Sequence, residues 1–137
     1  FNLIIFTAGV KDYADPIIDY LDPNDIFFSL RLYRDSCTQY ENFFIKDLSI
    51  LNLPIEHCII LDNCIFSFTK DVQSGILIST FHDNMEDKDL LNVADYLDDN
   101  ILNSDDVRAT NESFYGFESI KKMMYNKLIE EGCISIK

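Results

Sequence analysis

Leu3-Ile4-Ile5-Phe6-Thr7-Ala8-Gly9 and Cys58-Ile59-Ile60-Leu61-Asp62-Asn63-Cys64 follow one plan, a short apolar run that stops at small or polar residues. Continuous apolar runs of this length are typical of strands covered on both faces, and such strands belong to parallel sheets. Gly75 to Phe81 is a third candidate strand, with Ile26 to Tyr33 and Phe43 to Ile45 as further strand-like pieces. Segments of helical spacing separate them. Tyr13, Ile17 and Leu21 mark a helix over Asp12 to Leu21, whose first turn tolerates Pro16. Leu90, Leu91, Ala94, Tyr96 and Leu97 mark a second over Asp87 to Leu102. Asn111 or Glu112 opens a last helix that runs to about Glu131 and stops at Gly132. Strands alternating with helices predict an α/β fold built on a mainly parallel sheet. Ligands of such sheets bind at the carboxyl ends of the strands, where Thr7 and Asp62-Asn63 fall.

Working outward, the 137 residues suffice for a single domain, and no linker, repeat or break in composition divides them. With 47% hydrophobic and 26% charged residues the composition is globular, which argues against disorder. Acids outnumber bases 24 to 11, and the net charge of -13 speaks against a nucleic-acid partner, because phosphate attraction supplies most sequence-independent affinity of that kind. No apolar run approaches the roughly 18–20 residues of a membrane span. The chain opens at Phe1 in an apolar run, without a basic leader or a small-residue cleavage site, so it reads as part of something longer and not as a signal peptide. Cys37, Cys58, Cys64 and Cys133 have no C-x-x-C spacing. Thiols packed as small hydrophobes in an intracellular reducing compartment, nuclear or cytoplasmic, are the expectation.

Four polar residues could share one chemistry. A threonine hydroxyl at a strand end, followed by the N–H groups of a helix, suits a phosphate oxygen, which points to Thr7. Lys46 is a point-charge partner for the same group. Asp62 and Asn63 offer the hard oxygen ligands that Mg²⁺ takes while keeping several waters. Each alone has an ordinary account: a helix cap, the solvent side of a strand, a loop dipeptide.

The wording around them is more specific. Phe6-Thr7-Ala8-Gly9, Tyr13-Ala14-Asp15-Pro16, Tyr33-Arg34-Asp35-Ser36-Cys37, Ile45-Lys46-Asp47-Leu48-Ser49, Ile60-Leu61-Asp62-Asn63 and Phe81-His82-Asp83-Asn84 occur in this order. The succession resembles the small C-terminal-domain phosphatases, or NLI-interacting-factor-like family, of the haloacid dehalogenase superfamily. The resemblance spans roughly Phe1 to Asn100. It implies a three-layer, Rossmann-like parallel sheet with helices on both faces, over about residues 1–105, with the helix of about 111–132 appended to the same domain. It also implies a Mg²⁺-dependent phosphatase acting on phosphoserine or phosphothreonine of a phosphoprotein substrate. On matching positions, Thr7 binds the phosphoryl oxygens and Lys46 stabilises their charge. Asn63 ligates the metal, and Asp62 holds Lys46 and the metal's water shell. Arg34 meets the substrate, while Val10 and Tyr13 line an apolar patch beside it; both also have an ordinary account as core contacts of the first helix.

Cys64-Ile65 stands where the family usually shows Ser-Pro, and Thr80-Phe81-His82 replaces a Trp-containing stretch. One departure outweighs these. The family's nucleophile lies in an Asp-x-Asp-x-Thr motif at the end of an apolar strand, and no such motif occurs here. Asp87-Lys88-Asp89-Leu90-Leu91 follows polar residues and reads as the acidic first turn of a helix. The chain by itself is therefore expected to be inactive, as the C-terminal part of a phosphatase domain. In the resembled fold the nucleophile's strand lies between those of Leu3–Phe6 and Cys58–Leu61. Losing four or five buried apolar side chains there forfeits on the order of 10 kcal/mol, comparable with the whole stability of a domain, about 5–15 kcal/mol. A homodimer or swapped assembly that covers the gap is the corresponding expectation. The alternative function is a non-catalytic protein-binding or scaffold module on the same fold, a use exemplified by a mitochondrial inner-membrane translocase subunit of this family. A nucleotide-binding module is disfavoured, since there are four glycines and no Gly-rich loop after a strand.

Overall fold

The computed structural model describes residues 1–116 together with 119, 122, 123, 125, 126 and 129. The chain divides into two compact units, Phe1–Asp47 and Leu48–Lys137. Both are α/β.

In the first unit, β1 (Leu3–Phe6) runs through α1 (Lys11–Leu21) into β2 (Phe28–Leu32), and β1 pairs with β2 in parallel. The Thr7 amide extends that ladder by donating to the Leu32 carbonyl at 2.9 Å. A hairpin follows, β3 (Thr38–Tyr40) antiparallel to β4 (Phe43–Ile45), with Glu41 in the left-handed region at φ 50. The α1 face that is buried carries Ala14 and Ile18. Tyr13, Ile17 and Leu21, the stripe expected to face the core, are 68%, 48% and 58% exposed. A two-stranded sheet is too narrow to cover the whole apolar arc of an amphipathic helix, so the stripe next to the small Ala14 stays outside.

Asp22 closes α1 and launches β2. Its amide donates to the Ile18 carbonyl, and its carboxylate accepts the amides of Ile26, Phe27 and Phe28 at 2.8, 2.9 and 3.0 Å. Burial alone would raise its pKa. The three amides and the field of Arg31 outweigh burial and hold the carboxyl below its ordinary value. A folded pKa below the unfolded one, about 3.9, means that the stabilisation is complete above that pH and fades as the pH falls through the folded value. Asp22→Asn is therefore expected to lower the melting temperature at pH 7 and to narrow the gap to wild type on acidification. Melting curves from pH 7 to pH 2 check this; a gap of constant size contradicts it.

In the second unit, β5 (Ile60–Asp62) pairs in parallel with β6 (Gly75–Leu77), Ile60 opposite Gly75 and Asp62 opposite Leu77. The crossover between them is a 3-10 stretch, Ile65–Ser74, broken at Phe68 and Asp71. It buries Phe66 and Phe68, which no helical or strand periodicity in the sequence announces. α2 (Asp89–Tyr96) continues into a π-turn over Leu97–Ile101, where the Leu102 amide reaches the Leu97 carbonyl. The wider turn brings Ile101 onto the face of Val93 and Tyr96, which with Ile76 and Val107 form the core. Leu90, Leu91 and Ala94, expected on that face, are exposed. α3 (Val107–Tyr115) starts earlier than expected, because the Asp106 side chain caps it by accepting the Arg108 amide. It ends at Gly116, whose φ of 72 suits glycine. Beyond it the described residues 119, 122, 123, 125, 126 and 129 are helical, while the expected end at Glu131 and Gly132 lies outside the described residues, as does Cys133. Asn111 is fully buried: it accepts from the Tyr96 hydroxyl and donates to the Gln73 carbonyl, each at 2.8 Å. That pair of bonds ties α3 to α2 and to the crossover.

The parallel pairs are present, but as separate two-stranded sheets. Among the described residues β1 bonds only β2, and β5 bonds only β6. The described residues thus show an α/β architecture with small parallel and antiparallel sheets, and the three-layer sheet implied by the resemblance is not seen among them.

Candidate functional site

The candidate residues fall in both units. In the first, Thr7 leaves β1 at its carboxyl end, half-buried. Its Oγ1 accepts the Gly9 amide at 3.0 Å, so the hydroxyl proton remains to be donated. Glycine suits position 9, since a Cβ there would stand 3.2 Å from that oxygen. Lys46 directly follows β4 and is buried, 8% exposed; this corrects its reading as the solvent side of a strand. Val10 and Tyr13 open α1 and are both exposed, so the core-contact account of them is wrong. Arg34 is joined to the Thr7 loop twice, through its amide to the Gly9 carbonyl at 3.0 Å and through Nε to the Ala8 carbonyl at 2.6 Å.

In the second unit, Asp62 ends β5 and Asn63 follows it. The Asp62 carboxylate accepts the Cys64 amide at 2.7 Å and is buried, while Asn63 donates to the Thr80 hydroxyl at 3.0 Å. The turn is fixed from both sides, because the Ile78 amide also reaches the Asp62 carbonyl. Thr80 thus orients Asn63, and Phe44 carries Arg34, whose guanidinium carbon lies 4.9 Å from its ring centroid. The sequence reading gave neither residue a role. The hairpin register could have pointed to Phe44, whereas nothing local points to Thr80.

No group of three or more His, Cys, Asp or Glu suited to a metal occurs among the described residues. One carboxylate and one amide oxygen at a fixed turn still fit Mg²⁺, which binds through one or two protein oxygens and water. Cys37, Cys58 and Cys64 are thiols, Cys58 being buried. Among the described residues no helix is long and apolar enough to cross a membrane.

Known proteins match about two thirds to four fifths of this chain. It is 40% identical over 97 residues to nuclear envelope morphology protein 1 of Schizosaccharomyces pombe, covering 71% of the chain and 20% of that protein. It is 38% identical over 108 residues to CTD small phosphatase-like protein 2 of Dictyostelium discoideum, covering 79% and 19%. The human carboxy-terminal domain RNA polymerase II polypeptide A small phosphatase 2 is 36% identical over 93 residues, covering 68% and 34%. The matches thus span about a fifth to a third of these relatives. Residues 1–108 match the model of the NLI interacting factor-like phosphatases, and the chain belongs to that family.

Proposed function

We propose that this chain carries the phosphate-binding and metal-binding half of a protein phosphatase centre specific for phosphoserine and phosphothreonine. Phosphoryl transfer asks a protein mainly to position the group and to neutralise charge on its oxygens. The observation that carries the reading is the Thr7 loop: a hydroxyl at the end of a parallel strand, its acceptor side taken by Gly9, ahead of the N-terminus of α1. Thr7 donates to a phosphoryl oxygen, and Lys46 opposes the charge that develops there. Asp62 and Asn63 would hold Mg²⁺, which would supply neutralisation of phosphoryl charge. Arg34 meets the substrate, and Val10 with Tyr13 offers an apolar surface beside the phosphoresidue.

The nucleophilic aspartate and the general acid are not among the 137 residues, so the chain alone does not turn over. Among the described residues β1 and β5 each bond one neighbour, so each two-stranded sheet has an edge with which a strand ending in Asp-x-Asp-x-Thr, from outside these 137 residues, can pair. A reducing compartment, nuclear or cytoplasmic, suits the chain's thiols.

A form extended by such a strand is expected to dephosphorylate phosphoserine and phosphothreonine peptides at rates well above phosphotyrosine peptides or nucleotides. Phosphate release from matched peptides measures this. Equal rates on all substrates would contradict the substrate class.

A further inference from the structure

The contacts of Arg34 link two segments of the first unit that the proposed function needs in register. Its amide and Nε hold the carbonyls of Gly9 and Ala8, in the loop that carries Thr7. The guanidinium carbon of the same side chain lies over the ring of Phe44, 4.9 Å from its centroid, in the strand that leads directly to Lys46. Gly9 in turn donates to Thr7 Oγ1, so the clamp on Ala8 and Gly9 fixes the threonine hydroxyl. Lysine has neither the planar guanidinium nor the Nε donor.

We infer that Arg34 is a positioning residue that acts on a bound phosphoryl group through Thr7 and Lys46, by tying the β1–α1 loop to the β3–β4 hairpin. The inference rests on the phosphate pocket proposed above and adds a coupling that a plain substrate contact does not need. Phe44 becomes part of the device, although no atom of it need touch phosphate.

The test uses the ¹⁵N-labelled chain, titrated with inorganic phosphate at constant ionic strength. Phosphate affinity is read at the Thr7 and Lys46 resonances, and hydrogen exchange at the Gly9 amide. Arg34→Ala is expected to speed Gly9 exchange and to weaken phosphate binding, each by about tenfold. Arg34→Lys is expected to match Arg34→Ala, despite keeping the charge. Phe44→Leu is expected to shift both readouts the same way by about threefold, and to add little in the Arg34→Ala background. Retained affinity in Arg34→Lys together with wild-type behaviour of Phe44→Leu would overturn the inference in favour of direct contact. Faster Gly9 exchange with unchanged affinity would reduce Arg34 to a structural part and also overturn it. A wild-type chain whose Thr7 and Lys46 signals ignore phosphate removes the pocket and the inference with it; failure of the clamp alone leaves that wild-type response intact.

Discussion

Gly75→Ala is expected to destabilise the second unit by about 3–5 kcal/mol, from overpacking and loss of a buried ring together. An added Cβ would lie 2.1 and 2.3 Å from Cδ2 and Cε2 of Phe68 and 2.8 Å from its Cγ. Phe68 is 2% exposed, so the ring has no solvent to swing into, and its Cγ is too close to its own backbone to move cheaply. The backbone at Gly75, φ -85 and ψ 138, suits any residue, so the effect is steric and not conformational. Gly75 pairs with Ile60 at the start of β5, and the disturbance should reach the Asp62-Asn63 turn. A loss of this size is a large part of the stability of a whole domain, about 5–15 kcal/mol. Chemical denaturation of Gly75→Ala, Phe68→Leu and the double variant checks it. The two changes should compensate in part, whereas strict additivity would contradict the clash.

The second large effect concerns Lys46. In a form supplied with the nucleophile strand, Lys46→Met is expected to lower kcat for phosphate-ester hydrolysis by at least about 10²–10³-fold, the usual cost of removing one preorganised charge or donor from a transition state. Methionine keeps most of the length of this buried side chain and removes its charge and N–H donors, which makes it a cleaner change than alanine. The loss should fall on kcat more than on KM, because charge on the transferred oxygens grows toward the transition state. Near-UV circular dichroism verifies that the variant is folded. Unchanged kcat in folded protein would remove Lys46 from the chemistry.

Strand positions were legible because an apolar run needs no partner to be recognised. Leu3–Phe6 and Phe43–Ile45 stand where the sequence puts them, and the β2, β5 and β6 pairings lie within or overlap their runs. Helix faces were not legible to the same degree. Tyr13-Ile17-Leu21 and Ala14-Ile18 are neighbouring arcs of one helix, and only the width of the packed surface decides which is covered. On α2 the π-turn shifts the register after Tyr96, and no residue in Leu97–Ile101 signals it. The Ile65–Ser74 crossover was missed because its breaks at Phe68 and Asp71 erase any period. The Asp106 cap was readable and went unread: an aspartate ahead of Val107 is a common way to start a helix. At the candidate site, Thr7, Asp62 and Asn63 were legible as polar residues ending apolar strands. The Ala8–Arg34–Phe44 chain was not, since it exists only once the hairpin has folded beside the loop.

The most direct measurement is the initial rate of p-nitrophenyl phosphate hydrolysis with Mg²⁺, for the chain alone and for the chain preceded by an apolar strand ending in Asp-x-Asp-x-Thr. No turnover by the first and Mg²⁺-dependent turnover by the second, lost when the first aspartate of the motif becomes asparagine, is the predicted result. Turnover by the chain alone, or none from a cooperatively folded extended form, would contradict a half-centre completed by a strand from elsewhere.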